Sequence, residues 1–147
     1  MMVKLSKAEG RTLEELVGEA VFKQFNVTDP EAKAELHLKL CQKYIREAED
    51  LLRKKDYVQA SEKAWGAASQ AVKAVAAKRG IDLRSHGELW KFITTLSKEH
   101  PNWNLLNMFH TANSLHINFY EGWLTAEAVT NGIDTIKALI EKLRELV

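Results

Sequence analysis

The 147-residue chain has one cysteine, two prolines and seven glycines. With no second thiol in the chain, Cys41 excludes an intramolecular disulfide framework. At this length one core can bury roughly two thirds of the unfolded surface, so no disulfide or metal staple is needed. Pro30 and Pro101 are too few for a proline-rich linker, and no internal repeat or low-complexity tract is present. No apolar run approaches the roughly 18 residues of a membrane span, and the opening MMVKLSKAEG lacks a signal-peptide core, so the expected setting is cytoplasmic with no membrane partner. Charge of one sign is missing too. Twenty-one basic residues against 20 acidic leave a net charge of +1, which argues against a broad nucleic-acid-coating face but is silent on a local cleft. Motifs are equally scarce. There is no Cys-x-x-Cys, His-Glu-x-x-His, Gly-x-Ser-x-Gly or glycine-rich phosphate loop, so no metal and no cofactor is expected.

What is present is helical periodicity from end to end. Leu13, Leu16, Val17, Ala20, Val21 and Phe25 recur at three- and four-residue steps and predict a first helix. Asp29-Pro30 then supplies a cap and an N1 proline for a second helix, striped by His37, Cys41, Tyr44, Ile45, Ala48, Leu51 and Leu52. Asp56 caps a third, which ends at Gly80 and carries an Ala60, Ala64, Ala67, Ala71, Ala74 ridge small enough to admit a neighbouring backbone. Ser85-His-Gly-Glu88 has capping-box spacing and opens a fourth helix, followed by a loop over residues 98–103 with Trp103 as anchor. The next helix runs through Leu105, Phe109, Ala112, His116, Phe119 and Trp123. A last one starts near Thr125 and continues straight through Asn131-Gly132, because Val129, Ile133, Ile136, Ile140 and Leu143 keep the helical period. The fold expected is an all-α, up-and-down bundle of four to five core helices: a single unit over 1–147, with residues 1–28 as an N-terminal helical extension and 29–147 as the core.

Among side chains that carry chemistry, His116 stands out because it lies on an apolar stripe. It is either a core imidazole, with its pKa depressed by burial unless a carboxylate compensates, or one wall of a cleft shared with Asn113 at i−3, Tyr120 at i+4 and Glu121. His37 and Cys41 at i, i+4 are two residues without further ligands, so Cys41 reads as a small buried hydrophobe. Arg84 and His86 beside a helix N-terminus could hold an anion or could simply flank a cap. Trp65, Trp90, Trp103 and Trp123 read as packing residues.

Two blocks, residues 56–80 (DYVQASEKAWGAASQAVKAVAAKRG) and residues 115–121 (LHINFYE), resemble the HEPN superfamily of helical domains and, more narrowly, its archaeal PaREP branch. The resemblance spans about residues 35–146 and implies a homodimer with a cleft where late helices of two subunits meet. Some HEPN domains are metal-independent ribonucleases; others bind nucleotides or protein partners. The ribonuclease signature is an arginine and a histidine with four to six residues between them. His116 fits the histidine, but Phe109, His110 and Thr111 stand where the arginine would be. In that chemistry the histidine moves a proton while a ribose hydroxyl attacks the phosphodiester, and the guanidinium holds the developing charge. Loss of such a donor costs on the order of 10²–10³ in rate. Lys63 first, then Arg84 or His110, are the candidate substitute cations.

These readings lead to a non-enzymatic, HEPN-like homodimer that binds a nucleotide, RNA or a protein such as a nucleotidyltransferase, with His116 in or beside the dimer cleft. The alternative is a weak metal-independent ribonuclease built on His116 and a substitute cation. The blandest class is an interaction protein whose tryptophans only pack.

Overall fold

Each helix start marked by a cap residue in the sequence is capped by that side chain. Asp29 Oδ1 accepts from Glu31 N at 3.0 Å, Asp56 Oδ1 from Gln59 N at 3.2 Å, Ser85 Oγ from Glu88 N at 3.1 Å and Thr125 Oγ1 from Ala128 N at 3.1 Å. A computed structural model describes residues 12–24 and 29–147. Among them the helices are α1 (Leu13–Gln24), α2 (Pro30–Arg53), α3 (Tyr57–Lys78), α4 (His86–Glu99), α5 (Leu105–Glu121) and α6 (Ala126–Arg144), with a short 3-10 turn at Pro101–Trp103 and no strand. They pack as an all-α bundle.

At its centre is α3, touched by α2, α4, α5 and α6. Its alanine ridge, Ala60, Ala64, Ala67, Ala71 and Ala74, is fully buried, and small side chains there let α2 lie close along its length. Gly66 extends the effect, since a Cβ at that position would stand 3.2 Å from Tyr44 Cδ2. Larger residues from the outer helices fill the remaining space: Leu89, Ile93 and Leu96 from α4, Phe109 and Leu115 from α5, and Ile133, Ile136, Leu139 and Leu143 from α6. Each contributes roughly 1.5–3 kcal/mol by burial. Gly80, at φ +76°, closes α3 as the sequence predicts. Cys41 is buried, and burial pushes its thiol pKa up to about 12, in keeping with a packing role. No helix among the described residues is long and apolar enough to cross a membrane.

Several boundaries differ from the sequence reading. α4 continues to Glu99, so only the tail of residues 98–103 leaves the helix. α5 stops at Glu121 because Gly122 turns left-handed at φ +64°, which puts Trp123 outside the helix and 67% exposed. α6 does run through Asn131-Gly132. Gly132 is buried against α5, where a Cβ would lie 3.2 Å from Leu115 Cδ2, so the glycine serves close helix packing rather than a turn.

The apolar stripe of α1 does not set its inward face. Leu13, Val17 and Val21 of that stripe are exposed; Phe25 lies outside the described residues. The helix is turned instead so that Glu15, 2% exposed, meets Lys73 of α3, 3% exposed, with Nζ 2.9 Å from Oε1 and 2.8 Å from Oε2. A buried ammonium demands a carboxylate, and that demand outweighs the burial of three exposed aliphatic side chains. Tyr44 Oη lies 3.0 Å from Glu14 Oε1 and 3.1 Å from Thr12 Oγ1, and Glu14 also pairs with Lys43. Thus α1 is tied down chiefly by polar contacts.

Gly132→Val should lower stability by about 1–3 kcal/mol, since the fully buried Leu115 has nowhere to retreat. Urea unfolding of this variant, with the exposed Asn131→Ala as control, measures the difference.

Candidate functional site

A hydrogen-bonded clasp fixes how α5 lies on α3. Asn118, fully buried, donates through Nδ2 to Ser61 Oγ at 3.0 Å and accepts from Leu124 N through Oδ1 at 2.9 Å. Ser61 Oγ in turn donates to Tyr57 O at 2.8 Å. With Ser61 held against Asn118, the next residue on α3, Glu62, comes opposite His116 on α5. His116 Nδ1 donates to Glu62 Oε1 at 2.9 Å, since a carboxylate oxygen can only accept, which places a proton on Nδ1 and turns Nε2 away from Glu62.

The His116 ring stacks on Trp65, with centroids 4.8 Å apart and planes at 27°. His86, the first residue of α4, meets both rings edge-on, 5.1 Å from His116 and 5.3 Å from Trp65. The capping arrangement at Ser85 sets it there. Glu88 reaches back to Arg84 N at 2.6 Å while Ser85 caps Glu88, so the first turn is rigid and His86 turns inward. Tyr120, one turn beyond His116, presents an edge to it at 5.4 Å and is 61% exposed. The result is a shallow aromatic site. Trp65 is its floor, Glu62, His86 and His116 are its polar groups, and Tyr120 is its rim.

Burial is the main cause holding the His86 pKa below its ordinary value. The neighbouring His116 and the positive charge of Lys73 add to this, and Glu62 opposes them. The Tyr120 hydroxyl is shifted up, by burial first and then by the Glu62 charge, so it stays protonated. At neutral pH the cluster therefore offers a carboxylate, a neutral imidazole at His86 and a phenol. It can donate to and accept from a flat polar ring edge, and it lacks a fixed cation. Among the described residues no group of three or more His, Cys, Asp and Glu side chains could hold a metal ion.

Of the residues singled out in the sequence, His116 and Tyr120 are brought together, and Asn113 lies half-buried one turn before His116. Glu121 is exposed at the end of α5. The proposed cations do not converge. Lys63 is directed at α2, 3.1 Å from Glu47 and 5.1 Å above the Tyr44 ring, because it sits a third of a turn from Glu62. Arg84 pairs with Asp82 at 2.9 Å, leaving the cap while His86 turns in. His110 is exposed and packs on Trp90, centroids 4.9 Å apart. Glu62, Trp65 and His86 were missed as partners of His116. The Ser85 cap was a usable signal for His86, but no sequence signal linked Glu62 to a histidine 54 residues away.

Two expectations follow. His37, half-buried on α2 with Nδ1 donating to Gln70 Oε1 at 2.7 Å, also has its pKa lowered, chiefly by loss of water around the ring. A histidine with a depressed native pKa binds fewer protons when folded than when unfolded. The stability it contributes is present above its unfolded pKa, near 6.5, and is lost as pH falls below that value. Thermal midpoints should thus drop below pH 6.5, and less steeply in His37→Gln. Second, a proton NMR titration of His86 should show its pKa rising in His116→Ala and falling in Glu62→Gln, because the first removes a like charge and the second a supporting one.

The model of the archaeal PaREP1/PaREP8 family matches residues 36–140, which include Glu62, Trp65, His86, His116 and Tyr120. No curated protein and no solved structure matches the chain. The match runs from α2 into α6 and takes in well over half of the sequence, so the chain belongs to the archaeal PaREP1/PaREP8 family.

Proposed function

We propose that the protein is a HEPN-type homodimeric binding module that holds an unpaired nucleobase, of a nucleotide or of single-stranded RNA, over the aromatic site at His116. One observation carries this reading: the exposed ring of Tyr120 stands beside a His116–Glu62 hydrogen-bonded pair floored by Trp65. Exposed aromatic rings stack bases, and an adjacent carboxylate and imidazole can read a base edge. Trp123, exposed three residues past Tyr120 in the connection that Asn118 pins, adds a second stacking surface. In the dimer that the HEPN resemblance implies, the same helix of a second copy would wall the cleft, and a nucleotidyltransferase is the candidate protein partner.

A second reading has its own support. His86 beside His116 offers two imidazoles and an orienting carboxylate, the groups needed to move protons in metal-independent RNA cleavage. Against it stands the charge. Phe109 is buried, His110 packs on Trp90, Thr111 bonds back to Asn107 O, and the depressed pKa of His86 keeps that ring neutral at pH 7. Without a cation aimed at the phosphorane, binding is favoured over catalysis.

Titration of short fluorescent single-stranded RNA and of free nucleotides tests both readings. Tyr120→Ala and Trp123→Ala should each weaken binding by about 1–3 kcal/mol, with a shallow dependence on salt because few phosphates are contacted. Affinity unchanged in Tyr120→Ala and Glu62→Gln would overturn the binding site. Metal-independent cleavage lost in both His86→Ala and His116→Ala would establish the second reading instead.

A further inference from the structure

The Glu15–Lys73 pair lies outside the His116 site. Lys73 sits in the middle of the central helix between Val72 and Ala74, all three buried, so its ammonium lies inside the folded chain. Its carboxylate comes from α1. That helix is twelve residues long, too short to be stable by itself, and turns Leu13, Val17 and Val21 to solvent. It stays in place through Glu15 on Lys73, Glu14 on Lys43 and Tyr44, and Gly18 against the Leu36 side chain.

Next to the pair is an unused donor. Gln70, one turn before Lys73, is 1% exposed; its Oε1 takes the His37 proton, and its buried Nε2 has no hydrogen-bond partner. Glu15 satisfies the ammonium but not this amide. A buried donor left in that state marks a place where a ligand with more acceptor oxygens would gain a bond. The residues that match the family include His37, Gln70 and Lys73 and exclude Glu15. The matched bundle thus carries the cation and the donors, and the carboxylate is supplied from outside it.

We propose that Lys73, with Gln70 and His37 beside it, is an anion-binding site, and that Glu15 occupies it in cis as a carboxylate that a small carboxylate or phosphate-monoester ligand displaces. Displacement removes the strongest tie of α1, which then melts, because helix formation and docking of so short a segment go together. The arrangement is an N-terminal plug over an anion site, and its ligand signals by releasing α1. It is independent of the base-binding reading, since neither Lys73 nor Glu15 belongs to the His116 cluster.

The test uses the full chain and inorganic phosphate against sodium chloride of matched ionic strength. Readouts are the thermal midpoint and amide exchange of residues 13–24. In Glu15→Gln, phosphate should raise the midpoint with half-saturation at about ten-fold lower concentration than it acts on the wild type, since no plug competes. In the wild type, phosphate should speed exchange in α1. The apolar double variant Glu15→Met/Lys73→Met, which keeps a packed pair without the cation, should respond no more to phosphate than to chloride, separating site binding from general salting effects. If Glu15→Gln is folded and responds like the double variant, the proposal is overturned. Should Glu15→Gln be unfolded in chloride, refolding in phosphate supports the site and failure to refold overturns it. RNA binding at Tyr120 is unaffected by either result, so the two proposals fail separately.

Discussion

A helix buried along most of its length can leave few polar groups unanswered, and α3 is such a helix. Water is not available to solvate Ser61, Gln70 or Lys73, so each must meet a partner from a neighbouring element or cost its desolvation energy, as the unpartnered Gln70 Nε2 does. Asn118 of α5 answers Ser61, His37 of α2 takes the carbonyl end of Gln70, and Glu15 of α1 answers Lys73. The alanines between these residues have the opposite effect. They make no demand and allow the surrounding helices to approach. Apolar packing brings the outer helices to α3, and the few polar side chains on α3 decide how each one is rotated and how far it slides.

The candidate site is a by-product of that registration. Because Asn118 locks onto Ser61, Glu62 and His116 are left facing one another, and Trp65, one turn along α3, lies under the imidazole. His86 arrives from a third direction, carried by a helix start whose geometry is set by its own cap. Glu62, His86 and His116 are half-buried above the buried Trp65, so the site is held in place from below and reachable at its polar edge. The same logic at the other end of α3 gives α1 its orientation, with an ion pair inside and aliphatic residues outside.

Much of the fold was legible in the chain. Cap residues at Asp29, Asp56 and Ser85 and the left-handed Gly80 act through bonds within a few residues, so local pattern suffices to read them. The continuous helix across Asn131-Gly132 was legible because the apolar period on both sides outweighs a turn dipeptide. The inward face of α1 was not legible, for a definable reason. Periodicity identifies an apolar stripe, but it cannot show that a lysine 58 residues away will claim the neighbouring glutamate.

The sequence by itself determined that the chain is all-helical, where its helices begin and which alanines line the central one, because these follow from short-range hydrogen bonding and side-chain size. It also marked His116 and Tyr120 as a pair, being four residues apart on one helix. Only the tertiary structure decided that Glu62, Trp65 and His86 complete that pair, that Lys63, Arg84 and His110 turn elsewhere, and that α1 faces inward with its charge. Those outcomes depend on the rotation and register of helices distant in the chain, and these are fixed by satisfying buried polar groups that no local pattern connects.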